Sequence, residues 1–269
     1  MYQAYGVLGF PLGHSLSPLL HNQAFQMLAM NRSYFTWEIT TGDLDHFMRA
    51  VRILPLSGVS VTIPHKENVI SFLDGISPEA KEIGAVNTIF WQDGRLMGTN
   101  TDYLGFMAPI RELDLSSALV LGSGGASRSV LYGLKKLGVQ RITLCSRSPE
   151  KARNLAEIFG AEHIPWPARN NHQADILVNT TPLGTLGENE DKNPWDYGHL
   201  PFKAVYDLVY NPLRTRLIRQ AKDQGIITVS GLSMFVHQAR EQFRIWTGEV
   251  FDPVWAREML GHHLSHGAF

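Results

Sequence analysis

A chain of 269 residues exceeds the usual size of one domain, which predicts two domains. Hydrophobic residues make up 44% of it and charged residues 18%, a composition that excludes intrinsic disorder. The 24 basic and 25 acidic side chains leave a formal net charge of -1, so no overall electrostatic attraction to nucleic acid or to an anionic membrane is expected.

The first hundred residues alternate between strand and helix patterns, which is typical of an α/β fold with largely parallel sheets. In chain order, we predict a strand at 5–10, a helix at 18–30, a strand at 33–39, a helix at 44–53 and a strand at 58–63. Two further apolar runs, 85–91 and 95–98, flank Asp93 and Gly94, a pair that readily adopts the positive φ angles of a tight turn. We therefore predict a β-hairpin here and expect it to close the first sheet.

The remaining residues predict a second α/β domain. A helical stretch from 102 to 113 precedes predicted strands at 117–121, 141–145, 176–179, 204–208 and 226–229 and helices at 127–137, 149–159 and 213–224. This alternation indicates a doubly wound, Rossmann-type sheet. Two final helical patterns, 233–246 and 253–262, have no place in such a sheet, so we expect them to pack back on the first domain.

The location of the protein is also indicated by its sequence. The single cysteine, Cys145, cannot form an intrachain disulfide, and the first six residues lack the basic and apolar segments of a secretory signal. No apolar run approaches the roughly 20 residues of a membrane-spanning helix. The histidines lack the spacing of metal ligands, so no metal site is expected. We expect a cytoplasmic protein.

A glycine-rich loop, residues 122–126, directly follows the strand at 117–121. Glycines there let a pyrophosphate approach the amides that begin the next helix, and Ser127 is small enough for the position of a third glycine. A turn without a ligand, or the loop of an adenosylmethionine-dependent transferase, is the alternative. Because strand, loop and helix follow in the required order, the sequence favours a dinucleotide.

The residues after the next strand indicate which dinucleotide binds. NAD-binding domains carry an acidic residue there for the 2′-hydroxyl of the adenosine ribose. Here the chain reads Ser146, Arg147 and Ser148, with Lys151 in the following helix. Cations and hydroxyl groups suit a 2′-phosphate, so we predict NADP in preference to NAD. The alternative is a solvated basic helix start, in which Glu150 also lies.

Polar side chains gather at predicted strand ends in the first domain. They are Ser15, Ser17, Thr62, Lys66, Asn87 and Asp102. Carboxyl ends of strands line the ligand crevice of an open α/β sheet, so these groups suit a small polyhydroxylated acid. Taken alone, Ser17 before Pro18 has the pattern of a helix cap, and Lys66 that of a surface lysine. Their joint occurrence favours a binding site.

With these motifs the chain resembles the shikimate dehydrogenase family along essentially its whole length. The resemblance rests on Ser-Leu-Ser-Pro at 15–18, Val-Thr-Ile-Pro-His-Lys at 61–66, Gly-Ala-Val-Asn-Thr at 84–88, Asn-Thr-Asp at 100–102, Gly-Ser-Gly-Gly-Ala-Ser-Arg at 122–128, Tyr-Asn-Pro at 210–212 and Gly-Leu-Ser-Met at 231–234. Enzymes of this family reversibly reduce 3-dehydroshikimate to shikimate with NADPH, in the shikimate pathway of aromatic amino acid and chorismate biosynthesis. The resemblance therefore implies an oxidoreductase with NADP as its cofactor.

The resemblance also implies a role for each matching residue. Ser15 and Ser17 would bind the substrate carboxylate, and Lys66 would be the catalytic acid and base, with Asp102 orienting the reacting hydroxyl. The residues expected around the ring hydroxyls are Thr62, Asn87, Asp102, Tyr210 and Gln238. The residues expected to hold NADP are Gly122, Ser123, Gly124, Gly125, Ala126, Ser146, Arg147, Ser148, Lys151, Leu208 and Gly231.

The family pattern is not matched everywhere. The phosphate pocket reads Ser-Arg-Ser where the family often has Asn-Arg-Thr, and Lys151 stands where a second arginine is common. A lysine lacks the bidentate fork of arginine, so a somewhat lower phosphate affinity is expected.

The chemistry is intelligible from the residues themselves. Hydride transfer to a ketone carbon forms an alkoxide that requires a proton, which a lysine ammonium can supply. Partial burial favours proton release from a lysine and a nearby carboxylate opposes it, so the sequence leaves open which effect dominates at Lys66 beside Asp102.

The assigned residues divide the chain into two predicted domains separated by a deep cleft. Residues 1–101, completed by helices within 238–269, are expected to bind substrate and to carry catalysis, and 102–237 to form the Rossmann-type NADP-binding domain. We expect a monomer or homodimer whose partners are small molecules. Two alternatives remain: a quinate/shikimate dehydrogenase of broader range, and a non-catalytic regulator that senses NADP.

Overall fold

A computed structural model describes residues 3–13 and 15–266 of the chain. Residues 1, 2, 14 and 267–269, all of which belong to the predicted first domain, lie outside the described residues. The α-carbon contacts form two compact units. The first contains the residues up to Thr101 together with Gln238–Leu260, and the second contains Asp102–His237 and the last turn of the C-terminal helix from Gly261.

The first unit contains a six-stranded mixed sheet. Its strands are β1 (Gln3–Gly9), β2 (Arg32–Glu38), β3 (Leu56–Val61), β4 (Gly75–Ile76), β5 (Thr88–Gln92) and β6 (Arg95–Thr99), and its first helices are α1 (Ser17–Met27), α2 (Leu44–Ile53) and α3 (Pro78–Ile83). The strand order is β2-β1-β3-β5-β6-β4. Strand β1 runs parallel to β2 and β3, β5 is antiparallel to β3 and β6, and β4 is parallel to β6.

The predicted hairpin is present, but it does not close the sheet. Strands β5 and β6 pair across a turn in which Asp93 has φ 52° and Gly94 has φ 74°. The edge strand is β4, which pairs with β6. The expectation that the hairpin is the outermost pair is therefore wrong, because a two-residue strand is too short to show an alternating pattern.

The second unit contains a six-stranded parallel sheet. Its strands are β7 (Ser117–Leu121), β8 (Arg141–Ser146), β9 (Glu162–Pro165), β10 (Ile176–Asn179), β11 (Ala204–Asp207) and β12 (Ile227–Ser230). The remaining helices of the chain are α4 (Asp102–Met107), α5 (Gly125–Lys136), α6 (Pro149–Phe159), α7 (Arg216–Asp223), α8 (Gly231–Thr247) and α9 (Pro253–Ser265). The strand order is β12-β11-β10-β7-β8-β9, and all pairings are parallel.

This order is the doubly wound arrangement that the sequence predicts. The chain starts at the centre of the sheet with β7, winds outward through β8 and β9, and returns to the other side of β7 with β10. Ligands of such sheets bind outside the carboxyl ends of the strands where the winding reverses. In this unit that point lies between β7 and β10, whose following loops begin at Gly122 and Thr180.

Local sequence signals explain where the elements begin and end. Helix α7 begins after Thr215, whose hydroxyl accepts the amide N–H of Ile218 at 3.2 Å, and α6 ends at Gly160, which has φ 63°. Every residue of β7 is buried, as expected for a central strand covered on both faces. Among the described residues, no helix combines the length and apolar character that crossing a membrane requires.

The second half of α8 packs on the sheet of the first unit. The indole N–H of Trp246 donates to the main-chain carbonyl of Ile89 in β5 at 3.0 Å. A side chain at Gly58 in β3 would overlap the Trp246 ring, so glycine is required there by close packing. This contact brings residues that follow Gln238 against strands formed by the first hundred residues.

Candidate active site

The serine loop of the first unit leads into α1. Ser17 is its first residue and is 7% exposed, whereas Leu16 is the cap residue and makes no side-chain capping bond. The alternative in which Ser17 caps the helix is therefore wrong. The backbone N–H of Ser17 donates to Ser15 Oγ at 3.4 Å, which keeps the two hydroxyl-bearing residues together. Hydroxyls at the positive end of a helix suit a carboxylate.

The segment from Thr62 to Lys66 is anchored on both sides. Thr62 N–H donates to the Leu8 carbonyl at 2.9 Å, and the ring of buried His65 hydrogen-bonds the Ile39 carbonyl through Nε2 at 2.6 Å. The carbonyl of half-buried Lys66 accepts the N–H of Val86 at 2.7 Å. The backbone beneath Lys66 is therefore fixed to the segment that leads to Asn87.

Asn87 is 2% exposed and is the centre of a polar cluster. Its Oδ1 accepts the N–H of Thr101 at 2.7 Å, and its Nδ2 donates to Thr101 Oγ1 at 3.0 Å and to Gln238 Oε1 at 3.3 Å. Asp102 directly follows Thr101 and is also buried. The structure thus brings Asn87 and Gln238 together, although 151 positions separate them in the chain.

Strand direction explains why these residues gather at one edge of the first sheet. Lys66 follows the carboxyl end of β3, and Asn87 precedes the amino end of β5. Because β5 is antiparallel to β3, those two ends lie at the same edge. Strand β6 is antiparallel to β5 in turn, so the segment that leads to Thr101 begins there as well.

The glycine loop of the second unit leaves the start of α5 accessible. Gly122 has φ 113°, and a side chain there would overlap Thr180 Oγ1. Gly124 caps α5 without a side-chain hydrogen bond, and a Cβ on Gly124 or Gly125 would meet no atom within 4 Å. This open arrangement of backbone at a helix N-terminus fits a pyrophosphate.

Thr180 supports this loop and was not among the predicted site residues. Its Oγ1 donates to the Leu121 carbonyl at 2.7 Å and lies 2.6 Å from Ser127 Oγ. A single hydroxyl therefore joins the end of β7, the first turn of α5 and the loop after β10. The signal that could have identified it is its position directly after the strand that pairs with β7.

The predicted phosphate pocket lies at the end of β8. Ser146 Oγ lies 2.8 Å from Ser123 Oγ and accepts the Ser148 N–H at 3.2 Å. Arg147 and Lys151 are exposed, and within 3–13 and 15–266 neither side chain makes a hydrogen bond or an ion pair. Two solvated cations beside clustered hydroxyls fit a phosphomonoester, and with the open glycine loop they fit a phosphorylated dinucleotide.

Gly231, at the start of α8, lies against Leu208, and Tyr210 contacts Phe235 of the same helix. A Cβ on Gly231 would overlap the Leu208 carbonyl group, so the start of α8 presses directly on the backbone after β11. The ring centroid of Tyr210 lies 5.4 Å from that of Phe235, and burial raises the pKa of Tyr210. Because the two backbone segments lie this close, a side chain at Gly231 cannot fit without a shift of the backbone.

Asp207 holds the segment that contains Leu208 and Tyr210. It is buried, and its carboxylate accepts hydrogen bonds from Thr215 Oγ1 at 2.6 Å, Asn179 Nδ2 at 2.8 Å and Val209 N–H at 3.1 Å. Burial outweighs these donors and raises the pKa of Asp207 to about 6. The side chain was not predicted from sequence, because an acidic residue at a strand end does not by itself reveal that it is enclosed.

We expect the Asp207→Asn variant to differ from the wild type in the pH dependence of stability. A native pKa near 6, above the unfolded value of about 4, means that the native state binds the proton more tightly. The contribution of Asp207 is therefore complete below about pH 4 and is lost as pH rises through about 6, by about 3 kcal/mol. The difference in unfolding free energy, wild type minus variant, should fall across this range in urea titrations. Parallel pH profiles would contradict the assignment.

Comparisons with known proteins agree with this picture. Residues 7–89 match the family model described as "Shikimate dehydrogenase substrate binding domain", and 231–252 match "Shikimate 5'-dehydrogenase C-terminal domain". The chain is 43% identical to a shikimate dehydrogenase (NADP(+)) of Oleidesulfovibrio alaskensis, over 98% of this chain and 97% of that protein.

Solved structures give the same relationship. Shikimate 5-dehydrogenase of Thermus thermophilus, in complex with NADP(H) and shikimate, is 38% identical with a TM-score of 0.88, over 97% of this chain and 99% of that chain. Shikimate 5-dehydrogenase of Listeria monocytogenes, in complex with shikimate and NAD, is 28% identical with a TM-score of 0.88, over 96% of each chain. Structures of this similarity therefore include complexes with both dinucleotides.

Proposed function

The chain belongs to the shikimate dehydrogenase family, and on this basis we propose that it catalyses the reversible, NADP-dependent reduction of 3-dehydroshikimate to shikimate. This reaction is part of the shikimate pathway of aromatic amino acid biosynthesis. The structural observation that carries the proposal is the polar edge of the first sheet, where the Lys66 backbone is tied to the segment that ends in Asn87, and Asn87 contacts Gln238. The cytoplasmic location and a monomeric or homodimeric state stay predictions.

We propose that the first unit binds and converts the substrate. Ser15 and Ser17, held together at the start of α1, bind the carboxylate through their hydroxyls. The side chains of this unit that surround the ring hydroxyls are Thr62, Asn87 and Gln238, and the resemblance adds Asp102 and Tyr210, which belong to the second unit. The amide cluster of Asn87 and Gln238 suits this role because amides both donate and accept hydrogen bonds.

The second unit supplies the dinucleotide site. The backbone of the loop from Gly122 to Ala126 binds the pyrophosphate, since glycine leaves the α5 N-terminus open. Arg147 and Lys151, with Ser146 and Ser148, bind the 2′-phosphate. The nicotinamide end lies near Leu208 and Gly231. When bound, NADPH supplies the hydride that reduces the ketone carbon.

Lys66 donates the proton of the reaction in one direction and accepts it in the other. During reduction its ammonium donates a hydrogen bond to the ketone oxygen and transfers its proton to that oxygen as the alkoxide forms. During oxidation the neutral amine accepts the same proton from the hydroxyl group. The Asp102 carboxylate accepts a hydrogen bond from the reacting hydroxyl and so orients it. A ketone, a hydride and a proton thus give an alcohol, with one oxidised dinucleotide released.

Purified protein should form NADPH when given shikimate and NADP, measured by the near-ultraviolet absorbance of the reduced nicotinamide. Quinate in place of shikimate tests the broader dehydrogenase, and binding of NADP without turnover of either substrate would indicate the non-catalytic regulator. Absence of any shikimate-dependent signal in protein that binds NADP would contradict the proposed function.

Arg147→Ala should lower kcat/KM for NADP by roughly 10- to 100-fold and leave kcat/KM for NAD nearly unchanged, because only the 2′-phosphate interacts with the guanidinium. Arg153→Ala is the matched control: its Nε donates within its own helix, to the Pro149 carbonyl at 3.4 Å. Steady-state kinetics with both dinucleotides measure the ratio. An equal loss with NAD and NADP would show that Arg147 does not recognise the phosphate.

A further inference from the structure

Gln242 lies one helical turn after Gln238 on α8 and is 2% exposed. It has no assigned role, yet both ends of its amide are engaged. Its Oε1 accepts from Ser60 Oγ at 2.9 Å, and its Nε2 donates to the Asn87 carbonyl and to Thr88 Oγ1, both at 3.0 Å. A residue of the last third of the chain is therefore bonded directly to the backbone of Asn87.

The partners fix the direction of this amide. A main-chain carbonyl only accepts hydrogen bonds, so the Gln242 atom that faces the Asn87 carbonyl must be the Nε2 donor. Thr88 Oγ1 receives the other Nε2 hydrogen and therefore directs its own hydrogen to Asn87 Oδ1, at 2.7 Å. The Asn87 amide is thereby held with its oxygen toward Thr88.

A second donor enforces the same orientation of Asn87. The Thr101 backbone N–H also donates to Asn87 Oδ1, at 2.7 Å. The amide nitrogen of Asn87 consequently faces the opposite way, toward Thr101 Oγ1 and Gln238 Oε1. This arrangement presents a hydrogen-bond donor, and not an acceptor, on the side where Gln238 lies.

The chain of hydrogen bonds extends from Gln242 toward the serine loop. Ser60 Oγ accepts from the Tyr34 hydroxyl at 2.6 Å, and burial raises the pKa of Tyr34, so that it remains a donor. The Ser17 hydroxyl lies beside the same phenol. His21 stacks on the Tyr34 ring with centroids 4.5 Å apart, and burial lowers its pKa to about 3, so this layer carries no histidine charge.

We propose that Gln242 is a positioning residue for the reaction: without touching the substrate, it fixes Asn87 so that the amide nitrogen exchanges its hydrogen bond to Gln238 Oε1 for one to a ring hydroxyl of shikimate. This inference rests on the proposed function and on the assignment of Asn87 to the substrate. The Asn87 carbonyl fixes the orientation of Gln242, and the Ser60 hydroxyl meets the amide oxygen in that orientation. Removing the Gln242 amide frees the Thr88 hydroxyl to rotate and so weakens the hold on the Asn87 oxygen, which then relies on Thr101.

The Gln242→Met variant keeps the length of the side chain and removes its hydrogen bonds. We expect kcat/KM for shikimate to fall about tenfold or more, while KM for NADP stays within about twofold of wild type. A double-mutant cycle with Asn87→Ala gives the decisive measurement. If Gln242 acts through Asn87, the double variant should be no slower than Asn87→Ala alone.

Two controls separate positioning from general destabilisation. Ser60→Ala leaves both Gln242 donor bonds in place and should change kcat/KM for shikimate less than threefold. Gln220→Met removes a comparable amide from the second unit, where Gln220 bonds Asn193 and the Tyr197 carbonyl. This variant should lose a similar amount of melting temperature and leave shikimate kinetics unchanged. Multiplicative losses in the cycle with Asn87→Ala, or an unchanged kcat/KM in Gln242→Met, would overturn the proposal.

These experiments also distinguish the role of Gln242 from the proposed dehydrogenase activity on which it rests. A wild-type protein without shikimate-dependent NADPH formation refutes the proposed function, whereas an active wild type with an unaffected Gln242→Met refutes only the role of Gln242. Should Gln242→Met not fold, Thr88→Val breaks the same relay to Asn87 Oδ1 with a nearly isosteric side chain. In a double-mutant cycle of Thr88→Val with Asn87→Ala, the double variant should again be no slower than Asn87→Ala alone. Multiplicative losses in kcat/KM would overturn the proposal.

Discussion

Replacing Lys66 with alanine is expected to lower kcat for shikimate oxidation by about 100- to 10,000-fold, the range typical for loss of a general acid or base. No other proton carrier is assigned to the reacting oxygen, so water must take over the transfer. Affinity for NADP should change little, because the nucleotide residues are assigned to the second unit. Steady-state kinetics and calorimetric titration with NADP measure the two quantities.

Lys81→Ala is the appropriate control for this substitution. Lys81 is an exposed residue of α3, so its removal takes away one lysine of the same unit without touching the polar edge of the first sheet. Its kinetics should match those of the wild type. If Lys66→Ala retained the wild-type kcat, Lys66 would have no part in proton transfer, whatever the effect on KM.

A second large effect is expected from Gly231→Ala. The added methyl group would overlap the carbonyl group of Leu208 and approach the carbonyl carbon of Val209 to 2.9 Å. These atoms belong to the backbone and cannot rotate away, so α8 or the segment after β11 must shift. Overpacking of this kind costs roughly 3 kcal/mol of unfolding free energy. A displacement near 1 Å at the proposed nicotinamide end would lower kcat/KM for NADP about 100-fold.

Gly261→Ala isolates the steric cause. Gly261 lies inside α9, and a Cβ there would meet no atom within 4 Å. Alanine in a helix interior is favoured over glycine by about 1 kcal/mol, so this variant should be slightly more stable and fully active. Chemical unfolding and kinetics on both variants test the pair. Equal behaviour of the two would mean that the backbone at Leu208 yields easily.

The regular elements were predictable where a pattern extended over many residues. Helix α2 and strand β7 begin and end at the predicted residues, because a strong amphipathic period and an unbroken apolar run leave little choice. Strand β4 and helix α3 were not predicted, since two residues and six residues are too few to establish a period. Strand β9, at the sheet edge and ending in Pro165, was missed for the same reason.

The site residues could be predicted only where the residue type itself indicates the chemistry. Glycines after a strand and a lysine in a run of polar residues are visible in the chain itself. Thr180, Asp207 and Gln242 are much less visible, because each bonds a partner that is distant in sequence, at separations of 59, 28 and 155 positions. Gln242 and Thr88 are 154 positions apart, and only strand pairing and the course of α8 bring them into contact. Such supporting residues require three-dimensional information.

The distance along the chain between Thr88 and Gln242 also bears on protein synthesis. A chain that grows at roughly 5 to 20 residues per second needs about 8 to 30 seconds to extend the 154 positions from Thr88 to Gln242. During this interval the Asn87 carbonyl and the Thr88 hydroxyl lack the Gln242 amide. The strands of the second sheet, by contrast, all emerge before Gln242 does. The strands that emerge first therefore gain this contact only after every strand of the second sheet has been synthesised.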